Sequence, residues 1–284
     1  IDDLSTGSLT KIPDNPDRIH FYKADVNNQE EIAEIMLANQ FEYVFHYAAF
    51  VGVKRTQENP IKVLKDIEGI KNLLSLSQEI GVKRFFFSSS SEVYGEPVSI
   101  PQHEETTPLN SRIPYAIVKN VGEAFCKSYF QEYNMPYTIF RFFNTYGPNQ
   151  TTDFVISKFI AKAIKGEDIT IYGDGSQTRT FCYVTDNIEA TINAFLEDKH
   201  INDIVNIGGD IAFTILELAK LIIKITESKS KIIHLPALTE GDMTRRLPDN
   251  TKMRKLLNKE LIPLEKGIKI LLNDVKFITQ LGLK

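Results

Sequence analysis

The first half of the chain alternates short apolar segments with longer amphipathic ones, and this alternation restricts the folds it can adopt. Residues 43–46 and 82–87 have the composition of strands, and residues 28–38 and 60–80 have helical patterns. The run 82–87 lacks polar alternation, which is typical of a parallel strand buried on both faces. Alternating strands and helices at this spacing predict an α/β fold with a doubly wound parallel sheet.

The same patterns continue along the chain. We expect further strands at 19–24 and 137–142 and a helix at 113–133. The second half is more mixed, with a charged helical tail from Pro248 onward. Its other predicted elements are helices at 154–165, 186–196 and 214–226 and short strands at 169–172, 180–184 and 204–207, with a hairpin-like turn at 172–179.

Composition argues against several classes of function. The net charge is −4 and no basic stripe with interleaved aromatic residues occurs, which argues against nucleic-acid binding. Cys126 and Cys182 are far apart and have no CxxC or histidine pairing, which fits a reducing compartment and no metal site. We find no apolar run of membrane-spanning length and no signal-peptide pattern. We therefore expect a cytoplasmic, soluble protein that binds neither nucleic acid nor membrane.

The strongest candidate for chemistry is a predicted helix carrying Tyr115 and Lys119, downstream of the serine-rich run 88–95. Residues four apart on a helix share a face, and an ammonium beside a phenol lowers the pKa of the phenol. Tyr115 is thus predicted to be a general base for a hydroxyl group, with Ser90 sharing the proton. This spacing alone is also common on solvated helix faces. Glu92 is either an outward-facing charge or an acid or base next to a carbonyl.

Acidic residues follow the first strand-like segments. Asp2 and Asp3 fit two readings equally well: turn caps, or, for Asp2, a group that binds the ribose hydroxyls of an adenine dinucleotide. Asp25 and Val26 either flank an adenine ring or cap a helix.

Small residues end the strand at 43–46. Ala48 and Ala49 would let the backbone approach a cofactor, although small side chains also simply pack. We expect His46 to be a packed or capping histidine rather than a catalytic one.

Polar residues beside glycine-containing turns indicate a phosphate site in the second half. Asn144 offers both a donor and an acceptor ahead of a Gly-Pro turn. Arg179, Arg245 and Arg246 follow Gly-Asp turns, and arginine binds phosphate in bidentate fashion. Exposed arginines are usually solvated, but three of them beside such turns in a net-acidic chain predict a diphosphate clamp.

Together these motifs resemble the extended short-chain dehydrogenase/reductase family, and within it the enzymes that remodel nucleotide sugars. The resemblance runs from Ile1 to about Gly267. It implies a Rossmann-like NAD-binding domain at 1–147 and a smaller mixed α/β substrate region at 148–284, some of whose segments return to the sheet. The motifs that carry it are residues 2–7, 88–95, Tyr115 with Lys119, 141–148, 172–185 and 245–249.

The resemblance also implies a role for each candidate residue. Tyr115 would be the base, Lys119 would hold the nicotinamide ribose, and Ser90 would bridge Tyr115 and the substrate. Asp2 would bind the adenosine ribose. The cofactor would be NAD, and the reaction would begin with hydride transfer from C4 of the sugar. The remaining expected contacts are Asp3, Asp25, Val26, Ala48 and Ala49 with the cofactor, and Asn144, Arg179 and Arg246 with the nucleoside diphosphate.

Two departures from the family pattern stand out. The first strand of the family's fold and its glycine-rich pyrophosphate loop are missing from this chain, so we expect it to be an N-terminally incomplete copy of a longer protein. As given, it should bind NAD weakly and be poorly stable, and tight binding in calorimetry would contradict this. Asp66 stands where the family usually has asparagine, which puts support of the cofactor site from that position in doubt.

A 4-keto intermediate can lead to a 4-epimer, to loss of water, or to loss of a C6 carboxylate as carbon dioxide. The stretch 48–60 most resembles 4-epimerases, whereas Ser91 with Glu92 resembles decarboxylases and dehydratases. Because dehydratases usually carry Asp-Glu there, we rank epimerase first, decarboxylase second and dehydratase third. A non-catalytic nucleotide-binding protein is the alternative from another class.

The resemblance also suggests the partners. A UDP-sugar is the expected substrate. Family members commonly form homodimers through two long helices of each subunit, here 60–80 and 113–133.

Overall fold

The computed structural model describes residues 1–237 and 244–282 of the chain. The chain divides into two compact units. The first comprises Ile1–Ser89, Pro114–Phe140 and His200–Ile204, and the second comprises Ser90–Ile113, Arg141–Lys199 and Val205–Lys284.

Helices and strands alternate through the first part of the chain, as predicted. The α-helices are α1 (Gln29–Asn39), α2 (Val53–Glu58), α3 (Pro60–Glu79), α4 (Pro114–Tyr133), α5 (Val155–Lys165), α6 (Val184–Leu196), α7 (Ile215–Thr226), α8 (Thr251–Leu257), α9 (Leu264–Asn273) and α10 (Val275–Gln280). Short 3-10 helices lie at Leu9–Lys11 and Ser91–Tyr94.

The strands form one four-stranded sheet, in the order β1-β2-β3-β8, and three two-stranded pairs. The strands are β1 (Tyr43–His46), β2 (Arg84–Ser90), β3 (Tyr137–Phe142), β4 (Thr145–Tyr146), β5 (Ile169–Tyr172), β6 (Thr178–Thr180), β7 (Cys182–Tyr183), β8 (Asp203–Ile207), β9 (Ala212–Thr214) and β10 (Ile232–Leu235). β1 and β2 are parallel. All residues of β2 are buried, the polar Arg84 and the three serines included, and the strand begins two residues after the start of the predicted run 82–87 and extends beyond its end.

Local sequence signals place the helix ends. Asn28 caps α1 by accepting a hydrogen bond from the Glu30 amide, and Thr214 caps α7 in a reciprocal capping box with Glu217. Gly166 ends α5 in the left-handed conformation that glycine adopts without strain. The predicted helix positions are thereby confirmed to within a few residues.

The predicted strand at 19–24 is wrong in extent. The segment makes only an isolated parallel bridge between Lys23 and Asp2. The Asp2 amide donates to the Tyr22 carbonyl, and the Ala24 amide donates to the Asp2 carbonyl. Beyond this bridge the Asp2 side chain accepts the Leu4 amide and turns the chain away, which ends the pairing.

The predicted hairpin at 172–179 is also wrong. β5 pairs in parallel with β10, and β6 pairs antiparallel with β9. Between β5 and β6, Asp174 accepts hydrogen bonds from both the amide and the hydroxyl of Ser176. This side chain stabilises a turn after which β6 pairs with β9 and not with β5. The predicted strand at 180–184 is split, because pairing is interrupted at Phe181 and α6 begins at Val184.

Each unit has its own apolar core. In the first unit α1, α3 and α4 contribute Ile32, Leu74 and Val118 to a cluster with Phe85 and Phe87 of β2. In the second unit α5, α7 and α9 surround Ile169 and Ile171 of β5. The first cluster fixes α4, which carries Tyr115 and Lys119, against the sheet.

We expect Gly122→Ala to destabilise the protein, because α4 lies close to β2 at this residue. A Cβ atom built there would lie 2.2 Å from Cζ of the buried Phe87 ring, and neither helix nor strand can move freely. The expected loss in free energy of unfolding is about 1–3 kcal/mol, as for other overpacked cores. Thermal denaturation measures it, with Asn120→Ala on the exposed side of α4 as the control. Equal melting temperatures for the two variants would contradict the close packing.

Candidate active site

Lys119 is buried between α4 and the end of β2, within the first unit. Its side chain is only 3% exposed, and Nζ donates to the Ser88 hydroxyl at 3.3 Å. Nζ also lies 5.2 Å from the centre of the Phe87 ring. Burial lowers the pKa of this lysine to about 8, and the Asp66 carboxylate opposes that shift. A lysine of this kind is an electrostatic component of a site and not part of a solvated surface.

Tyr115 lies one helical turn before Lys119 and on the same face, as its spacing predicted. The lysine Nζ is 5.7 Å from the centre of the Tyr115 ring. The tyrosine is half-buried. The Lys119 ammonium and the Tyr115 ring therefore lie side by side on one face of α4.

The serine run makes three different contacts. Ser88 accepts from Lys119, Ser89 donates to the buried carboxylate of Glu123 at 2.5 Å, and Ser90 accepts the Glu92 amide at 3.2 Å. Ser90 is thus the cap of the short 3-10 helix 91–94 as well as a candidate proton partner. Sequence reasoning missed Ser88 and Ser89. The signal was present, because Glu123 follows Lys119 by four residues and shares its helix face.

Glu92 and Arg246 form a buried ion pair in the second unit. Nη2 of Arg246 donates to Oε1 of Glu92 at 2.5 Å, and Nη1 donates to the Ser91 hydroxyl at 3.3 Å. The Arg246 side chain is 6% exposed, and the Glu92 side chain is 19% exposed. The second carboxylate oxygen, Oε2, is buried and has no hydrogen-bond partner among the described residues. A buried acceptor without a hydrogen bond destabilises the fold, unless a ligand or a water molecule donates to it.

Asn144 and Arg179 are held by backbone groups in the second unit. Nδ2 of Asn144 donates to the Thr180 carbonyl at 3.0 Å. Arg179 is 8% exposed, and its Nη1 donates to the Thr178 carbonyl at 2.8 Å. The structure therefore brings Asn144 to the strand that carries Arg179.

The arginines predicted to act together are in different environments. Arg245 is exposed and lines a pocket of about 370 Å³ with Tyr172 and Gln177. Arg246, its neighbour in sequence, is buried against Glu92. Sequence reasoning did not pair Glu92 with Arg246.

The acidic residues of the first unit act as turn caps in the structure. Asp2 and Asp3 accept the amides two residues ahead, and Asp25 accepts the Asn27 amide. All three are exposed. Gly7 lies so close to Asp2 that a Cβ atom there would be 2.5 Å from Oδ1. Gly7 therefore packs against the Asp2 carboxylate, and the Asp2 residue remains exposed.

Val26 and the residues around the end of β1 differ in exposure. Val26 is half-buried, and its carbonyl accepts the Asn72 amide group. Ala48 is exposed and Ala49 half-buried. His46 is buried, which lowers its pKa to about 3, and the Lys119 charge acts in the same direction. His46 is therefore neutral at physiological pH, in line with the packed role expected for it.

The hydrogen-bonding groups of the first unit fit a dinucleotide. An exposed carboxylate at Asp2 can accept the two hydroxyls of a ribose, and the Lys119 ammonium can donate to another ribose. Within residues 1–237 and 244–282, no group of three or more potential metal ligands comes together. Over the same residues, no helix combines the length and the apolar character needed to cross a membrane.

Comparisons with known proteins agree with these features. The model of the NAD dependent epimerase/dehydratase family matches residues 1–208. A UDP-N-acetyl-alpha-D-glucosaminuronate decarboxylase of Bacillus cytotoxicus is 39% identical over 78% of this chain and 72% of that protein. UDP-glucuronic acid decarboxylase 4 of Arabidopsis thaliana is 35% identical over 84% of this chain. The matched region is 54% of the plant protein, so the chain spans about half its length.

Solved structures show the same fold. UDP-glucose 4-epimerase of Thermotoga maritima, with UDP-glucose, superimposes with a TM-score of 0.90 and 31% identity over 98% of this chain and 89% of that chain. UDP-glucose 4-epimerase of Thermus thermophilus, in complex with NAD, gives a TM-score of 0.87 and 26% identity over 97% of this chain and 89% of that chain. The predicted Rossmann-like α/β fold is confirmed.

Proposed function

The chain belongs to the NAD dependent epimerase/dehydratase family, as its motifs predicted, and within this family we propose that it decarboxylates a nucleotide-sugar uronate. It is an enzyme of this family, and its cofactor is NAD. The single observation that carries the proposal is the buried pair of Glu92 and Arg246, in which one carboxylate oxygen has no partner within the described part of the chain. Ser91 with Glu92 resembles the decarboxylases and dehydratases, in which this glutamate assists chemistry at C5 or C6 of the sugar, and a simple epimerisation at C4 needs no such group.

Loss of the carboxylate follows from oxidation at C4. Bound NAD supplies a hydride acceptor for C4 and returns the hydride at the end of the reaction. A C6 carboxylate is β to the C4 ketone, so the C5–C6 bond can break as carbon dioxide leaves and its electron pair enters the ketone as an enolate. The enolate then takes a proton at C5, and the whole reaction consumes one proton from solvent.

Tyr115 and Lys119 carry the oxidation. The Tyr115 phenolate removes the proton of the C4 hydroxyl, and the same phenol later donates to the ketone oxygen. Lys119, charged and held by Ser88, stabilises that phenolate and binds the nicotinamide ribose. Ser90 shares the proton with Tyr115.

Glu92 and Arg246 carry the step at C5. Arg246 holds Oε1 of Glu92 through a hydrogen bond from its Nη2. We propose that Oε2 of Glu92 binds the water molecule that protonates C5. This oxygen is buried and has no hydrogen-bond partner among the described residues. The sequence predicted that Arg246 binds the diphosphate. Its ion pair with Glu92 supports a different role, in which Arg246 holds the Glu92 carboxylate.

The remaining contacts follow the resemblance. We propose that Asp2, Asp3, Asp25, Val26, Ala48 and Ala49 form the cofactor site and that Asn144 and Arg179 bind the diphosphate. UDP is the proposed nucleotide, supported by the names of the relatives. Residues 1–147 would be the NAD-binding part and 148–284 mainly the substrate part, and the proposed compartment is the cytoplasm.

Epimerisation at C4 is the second candidate. The solved epimerases and the stretch 48–60 favour it, while Glu92 does not. Dehydration ranks third because Ser91 stands where dehydratases usually carry an aspartate.

The test incubates the purified full-length protein and NAD with UDP-glucuronate, UDP-N-acetylglucosaminuronate and UDP-glucose, and reads products by mass spectrometry and proton NMR. Loss of carbon dioxide supports the proposal, and an isomer of unchanged mass establishes the epimerase. No turnover of any sugar would favour a binding protein.

We expect the protein to be a homodimer held by α3 and α4. The two helices pack against each other and leave apolar side chains exposed, among them Ile61 at 70%, Ile117 at 40% and Tyr133 at 51%. The double variant Ile61→Glu, Ile117→Glu should be monomeric in size-exclusion chromatography with light scattering, because charges do not tolerate burial in an apolar interface. The control is Ile188→Glu, on the exposed side of α6. A monomeric unmodified protein would overturn this expectation.

A further inference from the structure

The ion pair of Glu92 and Arg246 joins two segments that are far apart in the sequence. Glu92 lies in the 3-10 helix Ser91–Tyr94, whereas Arg246 lies in an irregular segment before α8, residues 244–250, which we call the arginine segment. An arginine side chain has many rotamers, so its contact with one carboxylate does not fix the backbone that carries it. The pair therefore needs other contacts that hold the two segments together.

Asn206, on β8, makes hydrogen bonds to both segments. Its side-chain oxygen Oδ1 accepts the hydroxyl of Tyr94 at 2.7 Å, and Tyr94 is the last residue of the 3-10 helix that carries Glu92. Its Nδ2 donates to the Asp249 carbonyl at 3.2 Å, three residues beyond Arg246. One amide side chain thus connects the helix of Glu92 to the arginine segment.

The loop before α4 completes this connection. Nδ2 of Asn206 also donates to the Gln102 carbonyl at 2.9 Å, and the Asn206 amide donates to Oε1 of Glu104 at 2.8 Å. Gln102 in turn pairs with the arginine segment, because its amide donates to the Leu247 carbonyl and its carbonyl accepts the Asp249 amide. The oxygen and both N–H groups of the Asn206 side chain are therefore used in this connection.

A buried arginine holds the tyrosine of this network. Tyr94, Asn206 and Arg141 are all fully buried. Nη1 of Arg141 donates to the Tyr94 hydroxyl at 2.9 Å and to the Glu104 carbonyl at 3.0 Å. The Tyr94 hydroxyl thus accepts from Arg141 and donates to Asn206, which fixes its orientation. Water does not compete for hydrogen bonds at such a place, so each of them is stronger than at the surface.

We propose that Tyr94 and Asn206 are positioning residues, whose hydrogen bond holds the arginine segment so that Arg246 meets Glu92. The proposal rests on the role of this ion pair in the proposed function. Both residues act through the ion pair. They should therefore affect the step at C5 and not the removal of the C4 hydroxyl proton, whose base lies on α4.

The test is Tyr94→Phe, which removes one oxygen and keeps the ring in the core. We expect the steady-state release of carbon dioxide from a UDP-uronate to fall about fivefold, because the net loss of one hydrogen bond shifts an equilibrium by about that factor. Formation of reduced nicotinamide in the first turnover should be unchanged. The matched control is Tyr146→Phe, a buried tyrosine of the same unit whose hydroxyl donates to the Leu264 carbonyl at 3.4 Å.

A second variant removes the amide that connects the two segments. Asn206→Ser loses the side-chain hydrogen bonds to the Tyr94 hydroxyl and the Asp249 carbonyl, while its backbone amide can still donate to Glu104. We expect the same separation of the two steps as in Tyr94→Phe. An equal loss in both steps, or the same loss in Tyr146→Phe, would overturn the proposal, since it would indicate a general role in folding.

The resonances of the Arg246 guanidinium in heteronuclear NMR separate this proposal from the proposed function. They are assigned with Arg246→Lys, and they should change in Tyr94→Phe but not in Tyr146→Phe, whether or not a sugar is turned over. Unchanged Arg246 resonances in Tyr94→Phe would overturn the proposal. Changed resonances, in a protein that releases no carbon dioxide from any UDP-uronate, would count against the proposed function alone.

Discussion

Glu92→Gln is expected to lower the steady-state release of carbon dioxide strongly while leaving oxidation at C4 measurable, because C5 must be protonated after each loss of carbon dioxide before the next turnover. Glutamine preserves the size of the side chain and can still accept from Arg246, but it removes the second carboxylate oxygen, which is assigned to proton delivery at C5. Loss of a positioned acid or base group typically lowers the rate by about 10²–10⁴-fold. Carbon dioxide release and the absorbance of the reduced nicotinamide measure the two steps separately. The expected result is a large fall in the first with reduced nicotinamide still formed.

The same substitution should destabilise the second unit. Removing one partner of a buried ion pair leaves the Arg246 charge uncompensated, at a cost of about 3–5 kcal/mol when the pair is fully desolvated. Thermal denaturation therefore accompanies the kinetics, and the assay is run well below the melting temperature of the variant. Glu105→Gln, an exposed carboxylate of the same unit, is the matched control. A folded Glu92→Gln protein that releases carbon dioxide at the normal rate would remove Glu92 from the mechanism.

Tyr115→Phe is expected to stop the reaction before any carbon dioxide is lost. The phenol is the group assigned to take the C4 proton, and its ring lies beside the Lys119 ammonium. Without it neither oxidation at C4 nor any later step is supported, so reduced nicotinamide should not appear. A fall of about 10²–10⁴-fold is the usual effect of losing a general base.

Substrate and NAD binding should change little in this variant, because only one oxygen is removed. Isothermal titration with the nucleotide sugar checks that point. Oxidation at C4 by Tyr115→Phe at an undiminished rate would show that another residue is the base.

Local signals were sufficient for much of the fold. The helix caps Asn28 and Thr214 and the three consecutive phenylalanines around Phe86 are signals that depend on neighbours in sequence, and the structure agrees with them. Tyr115 and Lys119 were identified for the same reason, since a four-residue spacing on a helix needs no tertiary information.

Tertiary contacts account for what sequence reasoning missed. Glu92 and Arg246 are separated by 154 positions, and no periodicity connects them. The turn after Tyr172 looked like a hairpin, but the Asp174 side chain redirects the chain, and β5 finds its partner in β10. Strand pairing of this kind is decided by the fold and not by the turn residues alone.

The measurement that tests the central claim most directly follows the fate of the substrate carboxylate. The purified protein is incubated with NAD and a UDP-uronate carrying an isotopic label on the C6 carbon, and the labelled gas and sugar are both quantified. We predict labelled carbon dioxide in a one-to-one ratio with a UDP-sugar that has lost the label. Retention of all label in a sugar of unchanged mass would contradict decarboxylation.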